Sequence, residues 1–74
     1  MDVKIFLKIT KKPVSFEVFA DDENNMIYQG LKISNWSKNV YVKIPATNSK
    51  GKFMGAVIKE LNRDKIKLNI LYSI

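Results

Sequence analysis

The chain is 74 residues long, with thirteen basic and seven acidic side chains and a formal net charge of +6. It contains no cysteine and no histidine, which excludes disulfides, thiolate metal sites and the commonest general base. A length of this order implies a single domain over residues 1–74, and one so small that it needs a well-packed core or a second subunit sharing it; a homodimer is expected.

The dominant hydrophobic period is two, the mark of half-buried strands. In "VKIFLKI", Val3, Ile5, Leu7 and Ile9 alternate with Lys4, Phe6 and Lys8, predicting a first strand that ends at the "TKKP" stretch. "VSFEVFA" resumes the alternation, with Val14, Phe16 and Val18 set against Ser15, Glu17 and Phe19. "DDENN", residues 21–25, reads as a turn whose short polar side chains bond their own backbone.

A third strand is predicted over residues 26–33. Ile27, Leu31 and Ile33 share one face with Gln29 as the odd member, and Tyr28, Gly30 and Lys32 take the other. Gly30 suggests a bulge or a close backbone approach. "NWSKN" is a turn, with Trp36 folding back over the core. Residues 40–44 make the clearest strand: Val40, Val42 and Ile44 face the core, Tyr41 and Lys43 face away, and Pro45 stops it.

A polar loop, "ATNSKG", leads to a fifth strand over residues 52–58. The tail supports two readings. Ile66, Leu68, Ile70, Tyr72 and Ile74 alternate as a strand, with "NRD" as a hairpin turn, and this pattern is preferred. A helical stripe of Ile58, Leu61, Leu68 and Tyr72 is interrupted by Lys65. The expected fold is therefore β-rich, all-β or α+β: one antiparallel sheet or partly open barrel of five to six strands, with room for a short C-terminal helix.

Chemistry is sparse in this reading. Asp21, Asp22 and Glu23 lack the spacing of a calcium loop, "TNSKGK" lacks that of a phosphate loop, and Glu17 and Glu60 stand alone. No enzyme activity, metal or cofactor is expected. No run approaches the roughly 18 apolar residues of a membrane span, and the N-terminus lacks the features of a secretion signal, so a cytoplasmic protein is expected.

What stands out is the face opposite the presumed core. Lys4, Phe6, Lys8, Tyr28, Lys32, Tyr41, Lys43 and Lys67 would place ammonium groups around three aromatic rings if their strands share a sheet. Cations neutralise phosphates and rings stack on bases, so that surface would suit single-stranded DNA or RNA. The same pattern also describes an ordinary solvated sheet face with lysine guarding its edges. A third reading is a surface for a protein partner, as in a phage- or plasmid-type inhibitor of a host protein.

The stretch "GLKISNWSKNVYVKIPATNSKGKF" resembles the SpoVG family of small bacterial regulators. Leu31, Lys32 and Ile33 match one strand of that family's pattern; Val40, Tyr41, Val42, Ile44 and Pro45 match the next; Gly51 and Phe53 match the loop exit. The resemblance covers roughly residues 1–58. It implies a β-rich dimer that binds nucleic acid.

Overall fold

The computed structural model describes residues 2–72. Three helices alternate with three strands: α1 (Val3–Thr10), β1 (Val14–Glu17), α2 (Glu23–Ser34), β2 (Val40–Pro45), α3 (Gly55–Arg63) and β3 (Leu68–Leu71). The strands form one sheet in the order β1-β2-β3, and both pairs are parallel. The expected antiparallel, β-rich sheet of five to six strands is thus corrected to an α/β arrangement. Parallel neighbours cannot be joined by a hairpin, and the residues read as intervening strands are the helices that carry the chain back.

Three expected strands are helices for identifiable reasons. Asp2 caps α1, its carboxylate accepting from the Lys4 N–H at 2.8 Å, and Lys11 ends it in the left-handed region at φ 55°. Leu7 is the side chain of α1 that enters the core, while Ile5, Phe6 and Ile9 stay exposed. The "DDENN" turn is the start of α2: Asp22 accepts from the Asn25 N–H at 3.0 Å, and Glu23 stands in the first turn. Met26, Gly30 and Ile33 then recur at the helical spacing i, i+4, i+7 and are all buried.

The expected fifth strand survives only as an isolated bridge between Phe53 and Thr47, after which α3 begins. "NRD" is the last turn of α3 and its exit, not a hairpin; Lys65 turns the chain at φ 60°. The preferred strand reading of the tail corresponds to β3, which pairs with β2 in parallel. Ile74, the end of that alternation, lies outside the described residues.

α2 and α3 pack on one face of the sheet. Val40, Val42 and Ile44 of β2 are buried between them, together with Met26, Met54, Val57 and Leu61. Gly30 lets the two helices approach: a Cβ there would lie 2.9 Å from Leu61 Cδ1. Phe16 and Trp36 meet edge to face, 5.1 Å between ring centroids, closing one flank. Asn39 ties α1 to the start of the sheet, its Nδ2 donating to the Leu7 and Lys12 carbonyls.

The other face of the sheet has no covering element among the described residues. Ser15, Glu17 and Asn69 are exposed there, and Tyr41 and Lys43 are half-buried between them. No helix among the described residues is long and apolar enough to cross a membrane.

Candidate functional site

The open face is built by alternation. Val42 and Ile44 are fully buried on either side of Lys43, so the Lys43 backbone is held rigidly while its amine points to the uncovered side. In register, Lys43 stands opposite Glu17 of β1 and opposite Asn69 of β3. The three strands therefore present one row, Glu17–Lys43–Asn69, of a carboxylate, an amine and a carboxamide. Ser15 pairs with Tyr41 two residues back towards the amino ends.

The face is curled. Asn69 Nδ2 donates to Ser15 Oγ at 2.6 Å although β2 lies between their strands. In a flat sheet two interstrand spacings and a two-residue offset would separate their Cα atoms by roughly 12 Å, farther than these short side chains span. The hydrogen bond thus passes over β2 between Tyr41 and Lys43, and the row lines a concave floor. Beside it, the Lys67 ammonium lies 5.7 Å from the Tyr41 ring centroid and donates to the Lys38 carbonyl at 2.8 Å.

Loops at the carboxyl ends of β1 and β2 form a rim, the side on which parallel α/β sheets commonly bind ligands. Asp21 joins them: its carboxylate accepts from Ser49 Oγ at 2.6 Å and from the Ser49 N–H at 2.8 Å. Those two bonds, the hydroxyl first, hold the Asp21 carboxyl below its ordinary value. The Asn25 side chain and then its N–H do the same for Asp22. Asn48 Nδ2 donates to the Asp21 carbonyl at 3.1 Å, and Lys52 pairs with Glu23 at 2.7 Å. Gly51, at φ 81°, makes the tight turn of the second loop.

The residues expected to grip single-stranded nucleic acid do not gather on one wall. Lys4, Phe6 and Lys8 are on α1, and Tyr28 and Lys32 are on α2, with the Lys32 amine 5.8 Å from the Tyr28 ring centroid. Tyr41, Lys43 and Lys67 alone share the open sheet face. The alternation around Tyr41 and Lys43 is seen in β2, where both lie opposite the buried face, but Ser15, Glu17 and Asn69 were not singled out. The available signal was polar residues alternating with apolar ones within each strand, in "VSFEV", "VYVKIP" and "KLNIL".

Among the described residues no group of three or more histidine, cysteine, aspartate or glutamate side chains is placed to hold a metal ion. The row itself offers amine chemistry. A neutral lysine amine adds to a carbonyl carbon and, with loss of water, forms an imine, while a neighbouring carboxylate can move the protons.

Residues 1–71 match the family model for transaldolase/fructose-6-phosphate aldolase. A probable transaldolase of a Thermoanaerobacter species is 32% identical over 68 residues, covering 92% of this chain and 30% of that protein. One from Dehalococcoides mccartyi is 37% identical over 57 residues, covering 77% of this chain and 24% of its own length. One from a Sulfurihydrogenibium species is 44% identical over 43 residues, 58% of this chain and 20% of that protein. The chain thus spans between a fifth and a third of the length of these relatives.

These matches overturn the SpoVG resemblance, and the family match runs through residues 59–71, which that resemblance left uncovered. The expectations of a non-catalytic protein, of a DNA or RNA partner and of a phage- or plasmid-type inhibitor are corrected with it. The relatives named here are all probable transaldolases.

Proposed function

This chain belongs to the transaldolase/fructose-6-phosphate aldolase family, and from that premise we propose that its open sheet face is the lysine-centred part of an aldol site acting on sugar phosphates. The observation that carries the reading is the register row Glu17–Lys43–Asn69.

Lys43 is the nucleophile. Its amine adds to the substrate ketone, a C–N bond forms, water leaves, and the resulting iminium draws electrons. A base then removes the proton of the hydroxyl on C4, the far carbon of the C3–C4 bond to be broken. The C–C pair moves into the enamine and an aldehyde departs. Addition of the enamine to another aldehyde, followed by hydrolysis of the imine, completes a transfer and returns the amine. Glu17, the register neighbour of Lys43, supplies the proton movements, and Asn69 on the other side supplies a hydrogen bond.

A cytoplasmic location belongs to the same reading, because phosphorylated sugars are ionised and stay in the compartment that makes them. The test is reductive trapping. Incubation with fructose 6-phosphate and borohydride should add the mass of a reduced carbon chain to the peptide bearing Lys43. No adduct, or an adduct on another lysine, would overturn the assignment.

A further inference from the structure

We infer that Ser15 is a positioning residue for this site, acting through Asn69; the inference rests on the reading of Lys43 as the imine-forming amine. A carboxamide has two unlike ends, an NH2 that donates and an oxygen that accepts. Beside a lysine that cycles through ammonium and iminium, each a donor, the oxygen is the end that helps. The NH2 end would set a second donor against the first.

The structure shows which end is anchored. Asn69 Nδ2 is engaged by Ser15 Oγ at 2.6 Å, a bond that crosses over β2 between Tyr41 and Lys43. With its NH2 end held on the Tyr41 side, the carboxamide keeps Oδ1 as its free end at the Lys43 register. Ser15 is two residues before Glu17 on the same face of the same strand, so one short segment of β1 carries both the proton-moving carboxylate and the anchor of the amide on the far strand. The bond also links β1 to β3 over the floor of the curled sheet, holding Glu17 and Asn69 on either side of the amine.

The experiment measures the rate of borohydride-trapped adduct at Lys43 with fructose 6-phosphate for wild type, Ser15→Ala, Asn69→Ala and the double variant. Ser15→Ala should slow trapping about tenfold, the loss expected when a hydrogen bond that fixes one orientation disappears. Ser15→Thr, which keeps the hydroxyl, should restore most of the rate. Because Ser15 acts through Asn69, adding Ser15→Ala to Asn69→Ala should change nothing further. A purely structural role would show the same non-additivity but would lower the urea midpoint of Ser15→Ala along with the trapping rate, whereas a positioning role slows trapping and leaves the midpoint unmoved.

Should Ser15→Ala fail to fold by circular dichroism, Ser15→Cys, of similar shape but a weak acceptor, takes its place with the same slowing expected. An unslowed Ser15 variant, or effects that multiply in the double variant, would overturn the inference while leaving Lys43 in its role. A wild type that forms no adduct would overturn both.

Discussion

Glu17 and Lys43 are register partners in β1 and β2, side by side on the face of the sheet that α2 and α3 leave uncovered. Neighbouring parallel strands lie about 4.8 Å apart, so a carboxylate and an amine on paired residues reach the same small volume. Their alternate neighbours Phe16, Val42 and Ile44 are packed into the core. In the proposed reading chemistry and stability fall on opposite sides of the same strands, and substitutions on the two sides should separate them.

Replacing the amine is the first such substitution. Lys43→Met should abolish the fructose 6-phosphate adduct, a loss of at least about 10³-fold, because no other nucleophile stands in the row. Lys43→Arg should fail equally, since a guanidinium stays protonated and cannot add to a carbonyl. Neither should move the unfolding free energy by more than about 0.5 kcal/mol, the usual range for a side chain outside the core. Mass spectrometry of the trapped protein and a urea titration check the two halves. A collapse of stability in Lys43→Met would mean that the lysine holds the sheet together instead.

Glu17→Gln keeps the size and polarity of the side chain and removes its ability to carry a proton. The rate of adduct formation should fall by about 10²–10⁴-fold, the range for loss of a positioned acid or base. Glu17→Asp, one methylene shorter, should lose less. Single-turnover trapping rates measure this directly. Equal rates for Glu17→Gln and wild type would exclude the carboxylate from proton transfer.

The strand holding Lys43 was legible because Val40, Val42 and Ile44 alternate without exception, and burial follows that alternation. α2 was not, because both periods fit. Ile27, Leu31 and Ile33 satisfy a strand at every position but Gln29, whereas the helix buries Met26, Gly30 and Ile33. Gln29 explains itself in the fold: its Oε1 accepts from the N–H groups of Phe19 and Ala20 where the chain leaves β1. Asp22 signals a turn and a helix cap equally well, since both use a short carboxylate to satisfy a nearby N–H. Glu17 and Asn69 looked idle for a different reason. They are 52 residues apart in the chain, and only the parallel register through Lys43 puts them in one row. Local spacing carries no trace of that.

The rim loops should make stability fall in acid. Asp21 and Asp22 titrate below 3.8 in the folded protein, so between that value and the folded one the unfolded chain binds more protons. The stabilisation from these carboxylates is complete above about pH 4–5 and drains away as pH falls through their folded values. Asp21→Asn, which cannot ionise against the Ser49 hydroxyl and N–H, should flatten that part of the acid limb. Urea midpoints measured from pH 6 down to pH 2 decide it. An acid limb of unchanged slope in Asp21→Asn would show that the Asp21–Ser49 contact does not couple to folding.

The helix packing behind the site should be tight enough to register one methyl group. At Gly30 an added Cβ would lie 2.9 Å from Leu61 Cδ1 and 3.2 Å from Cδ2, with Val42 Cγ1 at 3.6 Å. Alanine gains about 1 kcal/mol over glycine in a helix interior. Against that, overpacking costs about 1–3 kcal/mol, and Leu61 is fully buried with little room to retreat. Gly30→Ala should therefore lower stability by about 1 kcal/mol despite the better helix former. Leu61→Ala alone should cost about 2–5 kcal/mol through the cavity it leaves. In the double variant the new methyl occupies part of that cavity, so the combined cost should fall short of the sum by about 1 kcal/mol or more. Strict additivity of the two costs in urea titrations would mean that α2 and α3 do not meet at this pair, and that the backing of β2 beneath Lys43 is looser than the structure has it.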